Sequence, residues 1–179
     1  PQQSPRSKSQ QQQTEEHIID QTEREQMTQE MEIELAIKDH YYRAEYCELS
    51  SIPHHILTSK SLRTELEVLY LSHNTIESFP YEIINLENLK CIDVSHNCLK
   101  SLSTEFMTLV RLIGVDLSHN SIEKIPPRWL PKLTELRFLN LDHNVLRQVP
   151  STIALAHELT QLQLSGNRLS SIPVEIGHL

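Results

Sequence analysis

Four histidines, His73, His96, His119 and His143, each stand immediately before an asparagine in a recurring tetrapeptide. Imidazole changes charge near neutral pH and is a common metal ligand, so a row of four suggests either a metal site or a pH-sensitive rim. A second candidate set is acidic: Asp93 and Asp116 recur at one position, with Glu45 and Asp142 on the adjoining one. Paired carboxylates can serve as an acid/base dyad, but these sit in segments with no apolar pocket to raise a pKa. The chain has no G-x-S-x-G, no phosphate-cradling loop and no H-E-x-x-H, and its only glycines are Gly114, Gly166 and Gly177. The expectation is therefore no catalytic residue, no cofactor and no metal, with the histidines serving a generic surface or structural role.

What must position these side chains is a repeat. LSHN at Leu71–Asn74 recurs as VSHN, LSHN, LDHN and LSGN, and Asn74, Asn97, Asn120, Asn144 and Asn167 are 23, 23, 24 and 23 residues apart. A period of this size with L-x-x-L-x-L-x-x-N in each unit marks leucine-rich repeats, one short strand per repeat. Leu66, Leu69 and Leu71 point inward, while Glu67, Val68, Tyr70, Ser72 and His73 are expected to face out, because alternate side chains of a strand lie on opposite faces. Parallel strands need a crossover, which the segment carrying Ile76, Phe79, Ile83 and Leu86 supplies. Stacking the strands about 4.8 Å apart would bring the histidines into a ladder at the edge of the concave face. It would also align Arg43, Tyr70, Asp93, Asp116, Asn140 and Gln163, flanked by Tyr41, Val68, Cys91, Gly114, Phe138 and Gln161.

The five asparagines read as scaffold. Each sits where the chain leaves its strand, and an amide side chain offers both donor and acceptor to backbone groups whose loss of partners would cost about 1–3 kcal/mol. Pro53, Pro80, Pro126, Pro150 and Pro173 fix φ at the start of the convex segment, and Ser103 replaces proline in one repeat, predicting a looser turn there. Trp129 lies in the single 24-residue repeat; the extra residue puts Leu130 and Leu133 at the core positions and predicts a partly exposed Trp129 on the convex side.

The repeat frame runs from a degenerate first unit, Asp39–Glu65, where Cys47 takes the asparagine position, to an incomplete Leu159–Leu179. Residues 39–179 are thus one domain of about six repeats. Residues 1–21, rich in Gln and Ser, are expected to be a disordered tail. A capping helix is predicted over 22–38, opened by Thr22-x-x-Glu25 and presenting Met27, Met31 and Leu35 on its buried face. The absence of an initial Met and the stop in mid-repeat suggest a piece of a longer protein. The net charge of −8 disfavours nucleic acid as a partner, and no apolar run reaches the length of a membrane span. Three cysteines without disulfide-cap spacing, no Asn-x-Ser/Thr and a polar start without a signal peptide predict a reducing, cytoplasmic setting.

The repeated text L-x-x-L-x-L-S-H-N-x-I/L-x-x-I/F-P-x-x-I-x-x-L resembles intracellular leucine-rich repeats of the Ras-suppressor and plant Ras-group type. The helical lead-in and CELSSIP at Cys47–Pro53 are also similar to the N-terminal end of a leucine-rich-repeat and sterile-alpha-motif E3 ubiquitin ligase, and equally of some short leucine-rich-repeat-only proteins. The resemblance implies an α/β solenoid with a curved parallel sheet, and a scaffold that binds proteins, often attached to a kinase, phosphatase, GTPase or ligase domain. The residues nominate the concave face, Tyr70, Asp93, Asp116, Phe138, Asn140, Asp142 and Gln163, for a protein partner with a basic surface, Tyr70 and Phe138 acting as anchors. Reversing the charges of Asp93 and Asp116 is expected to remove binding and leave the fold intact.

Overall fold

The computed structural model describes residues 25–179; the expected tail lies outside the described residues. Six three-residue strands form one parallel sheet in chain order: β1 (Tyr41–Arg43), β2 (Val68–Tyr70), β3 (Cys91–Asp93), β4 (Gly114–Asp116), β5 (Phe138–Asn140) and β6 (Gln161–Gln163). The fold is a leucine-rich repeat solenoid of the α/β class. Its register aligns Tyr42, Leu69, Ile92, Val115, Leu139 and Leu162 as the middle, inward-facing row. Leu69, Val115 and Leu139 are fully buried, as are Leu71, Val94, Leu117 and Leu141 just beyond the strands. Each such side chain contributes about 1.5–3 kcal/mol on leaving water, and none could be covered within its own repeat.

The return paths run through α2 (His54–Thr58) and α3 (Leu62–Glu65) in the first unit, and through single 3-10 turns, such as Tyr81–Asn85 and Ser151–Leu155, in the later ones. Pro53, Pro80, Pro150 and Pro173 stand at the N-caps of these turns with φ between −69° and −56°. Where Ser103 replaces proline, its hydroxyl accepts from the Phe106 amide at 3.2 Å, so a local side-chain hydrogen bond stands where the other repeats have a fixed dihedral.

Three readings of the sequence are corrected. Trp129 is completely buried rather than partly exposed. The indole tilts against Phe106 at 5.6 Å, which itself stacks on Phe79 at 4.3 Å. Leu130 and Leu133 are buried alongside, so the larger repeat holds a larger core and not a displaced ring. Ser72 does not face out: it, Ser95 and Ser118 are buried, because the chain has already begun to turn there.

The third correction concerns the helix α1 (25–39), which presents a different face from the one expected. Met27, Met31 and Leu35 are exposed, whereas Ala36 is buried and Ile33 and Ile37 pack against the core. Ile33, Ala36 and Ile37 form a second apolar stripe on this helix, and that stripe is the one packed into the core. Glu32, on the same side, accepts from Tyr42 Oη at 3.3 Å and bonds His55 Nε2 at 2.7 Å, which pins the helix to the first repeat. Burial together with the Glu32 carboxylate pushes the Tyr42 phenol well above its usual range.

Candidate functional site: the concave face and its rim

Each strand end is held from within by its asparagine. Asn97 Nδ2 donates to the Val94 and Ser95 carbonyls of its own repeat and to Leu71 O of the preceding one, while its Oδ1 accepts from Ile76 N, again one repeat back. Asn74, Asn120, Asn144 and Asn167 repeat the pattern, donating at 2.7–2.9 Å to Ala44, Val94, Leu117 and Leu141. These amides bridge neighbouring repeats instead of serving only their own, and with the backbone ladder they hold the concave surface to a fixed curvature.

On that surface the outward row runs Arg43, Tyr70, Asp93, Asp116, Asn140, Gln163 across all six strands, with Tyr41, Val68, Cys91, Gly114, Phe138 and Gln161 two residues earlier. Tyr70, Asp93, Asp116, Phe138, Asn140 and Asp142 are half-buried and Gln163 is exposed. At one end Tyr41 and Tyr70 meet edge to face at 6.3 Å, and the Arg43 guanidinium lies 4.6 Å over the Tyr70 ring. This cation–π contact fills the aromatic face, so the Tyr70 anchor is pre-oriented and the acidic centre has a positive edge.

The carboxylates are not merely solvated. Asp93 Oδ1 accepts from Ser95 N at 2.9 Å, and Asp116 Oδ1 accepts from both the amide and the hydroxyl of Ser118. Asn140 Oδ1 accepts from Asp142 N, and its Nδ2 donates to Asp116 Oδ2 at 3.0 Å. Asp142 in turn accepts from Ser165 N at 2.6 Å, and Glu45 from Ser72 Oγ at 2.9 Å. The acidic row therefore caps the strand ends as well as carrying charge, and charge reversal at Asp93 and Asp116 would remove those caps. The signal was present in the sequence: Asp-x-Ser at 93–95 and 116–118 is the spacing at which an Asx side chain bonds its own backbone two residues on.

Beside this row lies the histidine ladder, one residue from the asparagines. Its rings stack face to face, with interplanar angles of 10–19° from one histidine to the next. Among the described residues no group of three or more His, Cys, Asp or Glu is placed to hold a metal ion. Sequence reasoning missed that Tyr46 heads this ladder, although Tyr46 precedes Cys47 as each histidine precedes its asparagine. Cys47, Cys91 and Cys98 are all free thiols; burial pushes Cys91 above its usual range, which leaves it a poor nucleophile.

Residues 99–146 and 114–169 match the family described as leucine rich repeat, and residues 64–105 match leucine rich repeats in two copies. The chain is a leucine-rich repeat protein. A comparison with curated protein sequences returned no match. Among solved structures, this leucine-rich repeat chain is similar to a leucine-rich repeat protein of Leptospira interrogans, with 26% identity, a TM-score of 0.54, and 72% of this chain and 43% of that one covered. It is also similar to the ectodomain of the plant membrane receptor kinase GASSHO1/SCHENGEN3 from Arabidopsis thaliana, solved in complex with CASPARIAN STRIP INTEGRITY FACTOR 2, with 30% identity, a TM-score of 0.59, and 72% and 18% covered. An internalin of Listeria monocytogenes shares the fold at 24% identity and a TM-score of 0.65, with 78% and 38% covered. The matched region thus spans less than half of each of these chains. Leucine-rich repeat domains generally mediate protein–protein interaction and are typically non-catalytic modules. No helix among the described residues is long and apolar enough to cross a membrane.

Proposed function

We propose that the concave face is a docking surface for a protein partner with a basic patch, working in intracellular signalling. The observation that carries this is the outward row itself: the side chains that vary between repeats, Tyr70, Asp93, Asp116, Asn140 and Gln163, fall in one line across a rigid sheet. Asp93 and Asp116 form its centre between two aromatic side chains, Tyr70 and Phe138, and a cationic partner would find charge complementarity there with apolar anchors at either side. Three free thiols support a reducing compartment.

The test uses variants that keep the caps. Asp93→Asn with Asp116→Asn retains each Oδ1 acceptor and removes both charges. A partner captured by the wild-type chain and measured by titration calorimetry should lose about tenfold or more in affinity to this double variant, and as much to Tyr70→Ala with Phe138→Ala. Unchanged affinity with an unchanged melting temperature would move the binding surface elsewhere.

A second reading makes the horseshoe the recruiting arm of a larger enzyme, a ubiquitin ligase, kinase or phosphatase. It is favoured by the similarity to the ectodomain of a receptor kinase, in which such repeats accompany a catalytic domain. The genomic sequence around this chain would decide it, by showing a catalytic motif or only further repeats.

A further inference from the structure

The rim of the concave face carries four imidazoles and a phenol in a single stack. Tyr46 lies on His73 at 4.2 Å between ring centroids, His73 on His96 at 4.1 Å, His96 on His119 at 4.0 Å and His119 on His143 at 4.3 Å. All five residues take left-handed backbone with φ between 51° and 57°. The sixth place is Gly166, φ 68°, where a Cβ would fall 2.5 Å from His143 Nδ1. The stack thus has a defined beginning, a phenol, and a defined end, a residue with no side chain to displace the last ring.

Left-handed backbone is met at least cost by glycine or asparagine. Imidazole offers something these do not: a stacking ring that gains charge just below neutrality. We infer that the ladder is a proton-operated element of the concave face: neutral imidazoles stack and hold the rim, and acidification through the histidine range charges the stack, loosens it and repels a basic partner. The partner half of this inference rests on the function proposed above; the ladder half stands without it.

The charged groups around the stack fix the direction. Partial burial and then the neighbouring His119 and His73 hold His96 below the ordinary histidine value, outweighing Asp116 and Asp93, which favour its proton. Glu45 and Asp142, on the adjoining row, are engaged by Ser72 and Ser165. Two like charges on rings about 4 Å apart repel one another, so charging adjacent rings works against the stack. His96 binds protons less readily folded than unfolded. The stability it contributes is therefore complete above about pH 6.5 and is lost as pH falls through that value toward the folded one.

Three measurements on residues 1–179 between pH 7.5 and 5.0 test this. The His96 Cε1–H resonance, followed by NMR, should titrate with its midpoint below the ordinary histidine value and move up toward it in His73→Asn with His119→Asn; an ordinary midpoint that those substitutions leave unmoved would overturn the inference. The urea midpoint of the wild-type chain should fall more steeply on acidification than that of His73→Asn, His96→Asn, His119→Asn, His143→Asn combined, since asparagine suits the same backbone without titrating. Equal slopes would again overturn it, and if the fourfold variant does not fold, His96→Asn alone is compared in the same way. Binding of a fluorescent decalysine peptide, by anisotropy at low salt, should weaken about fivefold or more at pH 5.5 for the wild type and much less for the asparagine variant; equal weakening in both would overturn the regulatory half. No decalysine binding at pH 7.5 would instead overturn the proposed basic partner, with the first two measurements still deciding the ladder.

Discussion

Asn97 and His96 are neighbours in the chain and members of parallel ladders, yet the two ladders have opposite energetics. The asparagine side chain is buried, makes four hydrogen bonds to backbone and joins two repeats. The histidine one residue earlier is exposed and touches mainly the rings above and below it. A buried amide with fixed partners cannot change without leaving a buried backbone amide unpaired, whereas an exposed ring can change state and leave the backbone in place. One peptide bond separates the scaffold from the adjustable surface.

The comparison can be broken most forcefully from the inner side. Asn97→Ala should cost about 2–3 kcal/mol, because it strands the buried Ile76 amide and takes one of two asparagine donors from each of the Leu71 and Val94 carbonyls. A urea denaturation curve checks this, and a loss below about 1 kcal/mol would mean that the inner ladder is dispensable. Gly166→Ala should come next, at about 1–2 kcal/mol, since it meets both a left-handed φ and the His143 ring. Combining it with His143→Ala should recover the steric share and not the backbone share, and calorimetric melting of the two variants separates these.

Asp116→Ala, on the concave row beside the ladders, should cost about 1 kcal/mol through the lost Ser118 cap, while Asp116→Asn should be close to neutral. Equal losses would mean that the charge, not the acceptor, is what the strand end uses. Smallest is His96→Asn, expected within about 0.5 kcal/mol of wild type at pH 7.5, with a flatter dependence of the urea midpoint on pH below 6.5.

Much of the concave face was legible because register in a repeat protein is arithmetic. Once one asparagine is matched to the next, Tyr70, Asp93, Asp116 and Asn140 must share a row, and the strand pairs carry that row across the sheet. What was not legible depended on contacts between units that have no fixed offset. Whether α1 buries its methionine stripe or Ile33, Ala36 and Ile37 depends on how closely a helix can approach β1. Whether the 24-residue repeat expels or swallows Trp129 depends on the space beside Phe106. The caps of Asp93 and Asp116 were legible and were read only as charge.

The sequence by itself determined the period, the parallel strand order, the inward leucines and the place of the asparagines, because each follows from side-chain alternation and a constant repeat length. The tertiary structure alone decided that the asparagines bridge repeats, that the imidazoles stack on a phenol and end over a glycine, and that the tryptophan is core. These depend on distances between residues more than twenty positions apart, set by the shared curvature of the stack and not by any one repeat.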